Sequence, residues 1–524
     1  MKSKSSRALY LVKDKGRKGI FRMLFSRIGI MILLIFLQIL FFIAAFSWFS
    51  DLSPHIYGLS ILFSYVIGLY IVNNQMNYTA KLTWLAVITA FPIFGAALYA
   101  YTQSNIGHRL LVKRINQLIA KTEYLLVQQP NVMESLKQEN DGVASLARYL
   151  RLNGNYPVYN QSHTTYFASG EEKFEAMLKE LEKAEKFIFL EYFIIQEGEM
   201  WGRILDVLAR KAKAGVEVRV MYDGTCAFTK VPIDYEERIR ALGIQCKTFA
   251  PITPFLSTHY NYRDHRKILV IDGRTAFNGG VNLADEYINI NSPFGHWKDT
   301  AIMVKGDAVK SYTLMFLQLW SINESELNFE PYLVSYPCEQ EEQGYLIPYA
   351  DEPLDNDKVG ESVYIDILNR ATDYVYIMTP YLILDGELEN ALTFAAKRGV
   401  DVKIILPGIP DKKIPYAIAK THYASLLNAG IDIYEYTPGF MHAKMFISDD
   451  TTAVVGTINL DYRSLYHHFE CGTYLYKVPC IKDIKQDFDQ TIQQSELILY
   501  DKLRKISFTQ KMTGWLLKIF APLM

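Results

Sequence analysis

The sequence predicts an α/β protein of two pseudo-symmetric domains, each a mixed sheet flanked by helices, preceded by N-terminal transmembrane helices. Three observations predict it. A motif occurs twice, HRKILVIDGRTAFNGGVN at His265–Asn282 and HAKMFISDDTTAVVGTIN at His442–Asn459, and both copies read H-x-K-x4-D-x6-G-[GT]-x-N. Each copy closes a stretch in which strand-like and helix-like apolar runs alternate. Three long apolar runs stand ahead of both stretches.

Residues 1–27 are basic, with Lys2, Lys4, Arg7, Lys13, Lys15, Arg17, Lys18, Arg22 and Arg27 against the single acid Asp14. This is the positive flank of a membrane helix or an anchor for anionic lipid. The apolar runs 28–49, 56–72 and 82–101 form a membrane region; the first has the length of about 20 residues that a span needs. Pro92 and Gly95 punctuate the third, and one run has the option of being re-entrant. His108, Arg109, Lys113 and Arg114 favour a cytoplasmic catalytic part. Residues 102–160 read as a linker with helical patches, ending in the turn-rich NGNYPVYNQ.

The first domain is expected over 161–345. It holds a helix at Phe174–Ala184, a buried strand at Phe187–Ile195, a helix at Trp201–Ala212 stopped by Gly215, and a strand at Val216–Tyr222. The second domain, 346–510, answers with a strand at Tyr374–Met378, a helix at Leu388–Ala396, Gly399, and a strand at Val400–Leu406. Two long units make a duplication rather than an array. The tail, 511–524, carries Trp515, Leu516, Leu517, Ile519 and Phe520 beside Lys511 and Lys518; it reads as a helix lying on a membrane or docking on the core.

Each motif reads as a hairpin. With two-residue loops at Gly273-Arg274 and Asp450-Thr451, His265 faces Asn282 and Lys267 faces Gly280, while His442 faces Asn459 and Lys444 faces Thr457. His and Lys project from one face of the strand. Such a corner suits a phosphate: lysine gives a charged donor, Asn282 and Asn459 neutral ones, and Gly280 and Thr457 leave room. Histidine attacks phosphorus or carries a proton near neutral pH. The candidate catalytic set is thus His265, Lys267 and Asp272 with His442, Lys444 and Asp449. Within it the aspartates sit at the turns, roughly 16 Å along the strand from the lysines at about 3.3 Å per residue, and serve to fix the turns.

Net charge is -1, so no global basicity points to nucleic acid. The five cysteines form no CxxC pair, and the histidines form no HExxH cluster; no metal and no cofactor are expected.

The duplicated pattern resembles the phospholipase D superfamily. The resemblance implies a covalent phosphohistidine on one histidine, taken here as His265, and a leaving alcohol protonated by the other, His442. It also implies an acid orienting each histidine: Glu470 in HHFECG for the second half, and Asp299 in HWKDT for the first. Further segments, KLTWLAVITAFPIFGAALYAY, AGIDIYEYTPGFMHAK, NGGVNLADEY and GTINLDYRS, resemble the bacterial cardiolipin synthase family. That likeness implies transfer of a phosphatidyl group between two phosphatidylglycerol molecules, at an anionic bilayer of the bacterial cell membrane. A phospholipase D-type lipid hydrolase and a non-enzymatic lipid-binding scaffold remain the alternatives.

Overall fold

The computed structural model describes residues 36–37, 39–40, 44, 53–103, 109–251, 262–336, 338, 343–354, 357–504 and 508–523. The basic segment 1–27 and nearly all of the apolar run 28–49 lie outside the described residues. The chain divides into two compact units, the smaller built from described residues up to and including Arg109 and from Ile519 onward.

In the smaller unit, Ser53–Asn73 is one apolar helix with Leu59, Leu62, Tyr65, Leu69 and Tyr70 exposed. The run 82–101 departs from the single span expected. It forms two helices, Tyr78–Ala90 and Pro92–Gln103, broken where Pro92 cannot continue the ladder. They fold back on each other: Trp84 meets Tyr99 edge-on at 5.2 Å, and a Cβ on Gly95 would lie 2.9 Å from the Val87 carbonyl oxygen. Among the described residues no helix is long and apolar enough to cross a membrane.

In the larger unit, residues 110–154, which fall within the stretch 102–160 read as a linker with helical patches, pack into the core. They form helices Arg109–Thr122, Pro130–Glu139 and Asp141–Gly154, which bury Leu118, Leu136 and Leu150 completely. The first half then supplies β1 (Ser162–Phe167), β2 (Phe187–Tyr192), β3 (Glu217–Asp223), β4 (Gln245–Phe249), β5 (Arg263–Asp264), β6 (Lys267–Ile271), β7 (Thr275–Gly279), β8 (His296–Lys298) and β9 (Ala301–Gly306). The second supplies β10 (Tyr345–Asp351), β11 (Tyr374–Met378), β12 (Asp401–Pro407), β13 (Asp432–Tyr436), β14 (Gly439–Met441), β15 (Met445–Ser448), β16 (Thr452–Gly456), β17 (His468–Tyr476) and β18 (Ser495–Leu497).

The sheet orders correspond over seven strands, β1-β9-β7-β6-β2-β3-β4 in one and β10-β17-β16-β15-β11-β12-β13 in the other, where β18 adds a further edge strand beside β13. Strand β2 lies between parallel β3 and antiparallel β6 and is buried at every position, which explains why FIFLEY does not alternate between apolar and polar residues. Ser169 and Asp385 cap the helices Gly170–Leu181 and Gly386–Lys397, accepting from Glu172 N (3.2 Å) and Leu388 N (2.9 Å). In the tail, helix Phe508–Phe520 lays Gly514 against Ala417 and Thr421 while Trp515 and Leu516 stay exposed.

The motif hairpins are slipped by one residue from the register expected. Leu269 pairs with Phe277 and Ile271 with Thr275; Met445 pairs with Val455 and Ser448 with Thr452. The cause is a turn of three residues, not two, in which Asp272 and Gly273 (φ 54° and 68°) and Asp449 and Asp450 (52° and 53°) are left-handed. The aspartates hold this turn from the side. Asp272 accepts from the backbone N–H groups of Glu185, Lys186 and Phe187 at 2.8, 2.8 and 2.7 Å. Asp449 accepts from Thr372, Asp373 and Tyr374 at 2.8, 3.0 and 2.8 Å. Each turn is thereby stapled to the start of the neighbouring strand.

Asp272→Ala strands three N–H donors behind a carboxylate that is only 3% exposed. Each unsatisfied buried group costs about 1–3 kcal/mol, part of which water regains at this rim. We expect a loss of about 2–4 kcal/mol in denaturant unfolding, with Asp272→Asn losing less because one oxygen remains.

Candidate active site

Both histidines leave their own sheet before they reach the site. Strand β5 pairs in parallel with the start of β17, Arg263 opposite His468 and Asp264 opposite Phe469, and His265 N–H donates to Phe469 O at 2.9 Å. Strand β14 likewise pairs in parallel with β8, Gly439 opposite His296 and Met441 opposite Lys298, and His442 N–H donates to Lys298 O at 2.7 Å. Each histidine is thus delivered to the other half.

The acids therefore act crosswise. His265 Nδ1 donates to both Glu470 oxygens, at 2.8 and 2.9 Å. His442 Nδ1 donates to Asp299 Oδ2 at 2.6 Å. The within-half pairing expected from the sequence is corrected: the acid that follows each motif holds the other motif's histidine. With Nδ1 committed as donor, Nε2 keeps its lone pair for chemistry.

Gly280 and Thr457 stand behind the acids rather than beside a phosphate, which corrects the placement expected for them. A Cβ at Gly280 would lie 2.0 Å from Asp299 Oδ1, so only glycine admits that carboxylate. The Thr457 hydroxyl donates to Glu470 Oε2. Arg266, alternating away from His265 and Lys267, donates to Glu470 O (3.2 Å) and to Glu352 Oε1 (3.3 Å), tying the first half to the second.

Asn282 is also committed elsewhere. Its Oδ1 accepts from Ile194 N at 3.0 Å, and its Nδ2 donates to the Tyr287 hydroxyl at 2.8 Å. Asn459 is 5% exposed, and its Oδ1 has no partner among the described residues. Asp272 and Asp449 stay at the hairpin turns.

Lys267 and Lys444 are fully or almost fully buried, and each donates to the carbonyl of the histidine two residues before it. Lys444 Nζ also stands 2.9 and 3.0 Å from the His442 ring nitrogens. Burial pushes Lys267 down to about 8 and Lys444 to about 7. Burial and the lysine charges hold His265 well below the usual imidazole range and His442 at about 4. A charge on His442 would depress His265 further, so protonation of one ring disfavours protonation of the other. Asp299 is held below the usual carboxylate range by His442 and Lys444 against the opposing effect of burial.

Sequence reasoning missed four side chains here. Phe193 and His468 pack on His265 at 4.9 and 5.3 Å, and Tyr287 and Trp297 on His442 at 5.4 and 5.2 Å between ring centres. His468 and Trp297 lie in the crossed strands and Phe193 and Tyr287 just beyond β2 and in a short helical turn, places with no periodic signature. Lys173 is a fifth: wholly buried and pushed down to about 7, it donates to Val281 O at 3.2 Å and pins the GGVN segment.

Two groups among the described residues offer three donor atoms within 4.8 Å of one another: His265, His468 and Glu470, and Glu361, Asp385 and Glu387. Lys267 and Lys444 give the first a field that favours an anion. Lys358 Nζ already lies 3.5 Å from both Glu361 and Glu387 in the second.

The family model described as "Cardiolipin synthase, PLD-like domain" matches residues 177–320 and 364–492. An uncharacterized protein of Streptococcus mutans is 56% identical, covering 87% of this chain and 99% of its own length. A cardiolipin synthase of Alkalihalophilus pseudofirmus is 33% identical over 91% of this chain and 95% of its own. One of Geobacillus kaustophilus is 34% identical over 87% and 91%. The crystal structure of phosphatidylserine synthase from Haemophilus influenzae shares the fold, with a TM-score of 0.54 and 16% identity over 73% of this chain and 98% of its own.

Anion binding needs protonated lysines. We expect kcat/KM, which reports the free enzyme, to fall as pH rises through about 7 to 8, the values held by Lys444 and Lys267. A pH–rate profile at low substrate checks this, and the limb should move upward in kcat, where bound phosphate favours the charged lysines.

Proposed function

The chain belongs to the cardiolipin synthase family with PLD-like domains and is a phosphatidyltransferase; from that premise we propose how its residues divide the work and which lipids it joins. His265 is the nucleophile and His442 the general acid and base. His265 Nε2 attacks the phosphorus of one phosphatidylglycerol. The bond from phosphorus to the glycerol headgroup breaks, and His442 gives that oxygen its proton. The hydroxyl of a second phosphatidylglycerol then gives its proton to His442 as its oxygen attacks phosphorus. The N–P bond breaks, and cardiolipin leaves. Lys267 and Lys444 hold the phosphoryl oxygens, where fixed positive charge is most effective away from water.

The observation that carries this reading is the crossed pair of carboxylate–histidine contacts, each with a buried lysine two residues on. His265 is held by two oxygens and depressed in basicity, which suits a nucleophile that must be neutral. His442 lies against both Asp299 and Lys444, which suits proton exchange. The negative phosphodiester offsets the lysines and favours imidazolium at His442 when substrate is bound.

We read 161–345 and 346–510 as the two domains, an assignment supported by family matches that fall inside them. We read the chain as residing in the bacterial cell membrane with its catalytic part cytoplasmic. The apolar runs and the exposed Leu59, Leu62 and Leu69 support the first part, and the basic residues around Arg109 the second.

Purified protein given phosphatidylglycerol alone should yield cardiolipin and glycerol in equal amounts, unchanged by chelator. Phosphatidic acid as the main product would make the protein a hydrolase instead. His265→Ala and His442→Ala should each lower turnover at least about 10³-fold, at the upper part of the range for positioned acid–base groups.

A further inference from the structure

His468 has no place in the scheme above, yet it lies at the centre of the site. It is two residues before Glu470 on β17, so both side chains project from the same face of the strand. Its ring centre is 5.3 Å from that of His265, and Phe193 flanks both rings. It is 8% exposed, and neither ring nitrogen has a hydrogen-bond partner among the described residues. The nearest carboxylate does not serve it: Nδ1 is 3.6 Å from Glu470 Oε1, while His265 and Thr457 occupy the Glu470 oxygens.

A buried imidazole left without partners is destabilising unless something visits it. The surroundings say what. Burial pushes His468 down to about 3; neighbouring Glu470 opposes this and the charges of His265 and Arg463 add to it, and the ring is neutral. A neutral imidazole offers one N–H donor and no charge. In a site filled by Lys267 and Lys444 the ligand is an anion. The sequence assigned the neutral donor's part to Asn282 and Asn459; Asn282 is turned aside, its Oδ1 accepting from Ile194 N and one amide hydrogen going to Tyr287.

The pseudo-symmetry supplies a contrast. Trp297 occupies the matching place on β8, two residues before Asp299, with its ring 5.2 Å from His442. One side of the site thus presents an indole and the other an imidazole.

We infer that His468 is a neutral phosphate ligand of the site, donating its ring N–H to a non-bridging phosphoryl oxygen beside His265. This rests on the reading that a phosphodiester sits between His265 and His442. No bond forms or breaks at His468; it holds the oxygen as charge redistributes.

The test compares His468→Phe, which keeps a ring against Phe193 and His265, with His468→Asn, which keeps a donor. Full-length proteins with matching unfolding temperatures are assayed on phosphatidylglycerol vesicles, and separately for binding of tungstate, a tetrahedral oxyanion. Loss of one donor to a developing oxyanion is worth roughly 10²-fold in kcat. His468→Phe should lose about that much and bind tungstate about tenfold more weakly, and His468→Asn should recover most of both. If His468→Phe stays within about threefold of the wild type in both assays, or His468→Asn is no better than His468→Phe, the inference fails. A metal ion bound by the wild type, lost in His468→Phe and required for turnover, would assign the ring to a cation and also overturn it. Should the wild type make no cardiolipin, the proposed reaction fails, while tungstate affinity still decides the role of His468.

Discussion

The structure depends on an exchange of short strands. Each histidine is carried on a segment, β5 or β14, that pairs with the opposite half, and only there does it meet its carboxylate. Neither half holds a working histidine by itself. Carboxylates as buried as Glu470 and Asp299, both 0% exposed, would each cost several kcal/mol if unpaired. The partner that offsets this cost comes from the other half in both cases. Assembly of the halves and assembly of the site are therefore one event, reinforced by Arg266 reaching Glu352 and Lys298 reaching Asp487.

The electrostatics follow from that burial. Two lysines and two imidazoles share a space from which water is largely excluded, and every one of them is pushed toward its neutral form. An arriving phosphodiester reverses the balance, because its negative charge stabilises the protonated lysines and an imidazolium. The free site is thus tuned for an anion, and binding itself prepares the acid. The same exclusion of water favours transfer to an alcohol over hydrolysis.

Much of this was legible in the sequence because it is local. Strands β2, β3, β11 and β12 and their helices follow from apolar periodicity, and Gly215 and Gly399 end their helices at φ 96° and 97° as glycines do. The duplicated motif located both histidines and lysines and marked Asp272 and Asp449 as turn residues. Three things were not legible. The hairpin register hinged on two left-handed residues in a row, which sequence distinguishes poorly from a two-residue loop. The partners of Asn282 and Thr457 are set by packing across the sheet. The crossing of the acids depends on β5 and β14, pieces too short to carry a periodic signal; Glu470 and Asp299 were found, but the histidine that each one holds was not.

The crossing itself is tested most directly in a His442→Ala protein given phosphatidyl-p-nitrophenol, whose leaving group departs without a proton. The measured quantity is the rate of the p-nitrophenol burst that marks covalent capture by His265. Adding Glu470→Gln should slow the burst by at least about tenfold, the loss expected when a nucleophile's orienting carboxylate is removed, whereas adding Asp299→Asn should leave it unchanged. A burst slowed by Asp299→Asn and untouched by Glu470→Gln would mean that each acid serves the histidine of its own half, and would contradict the account.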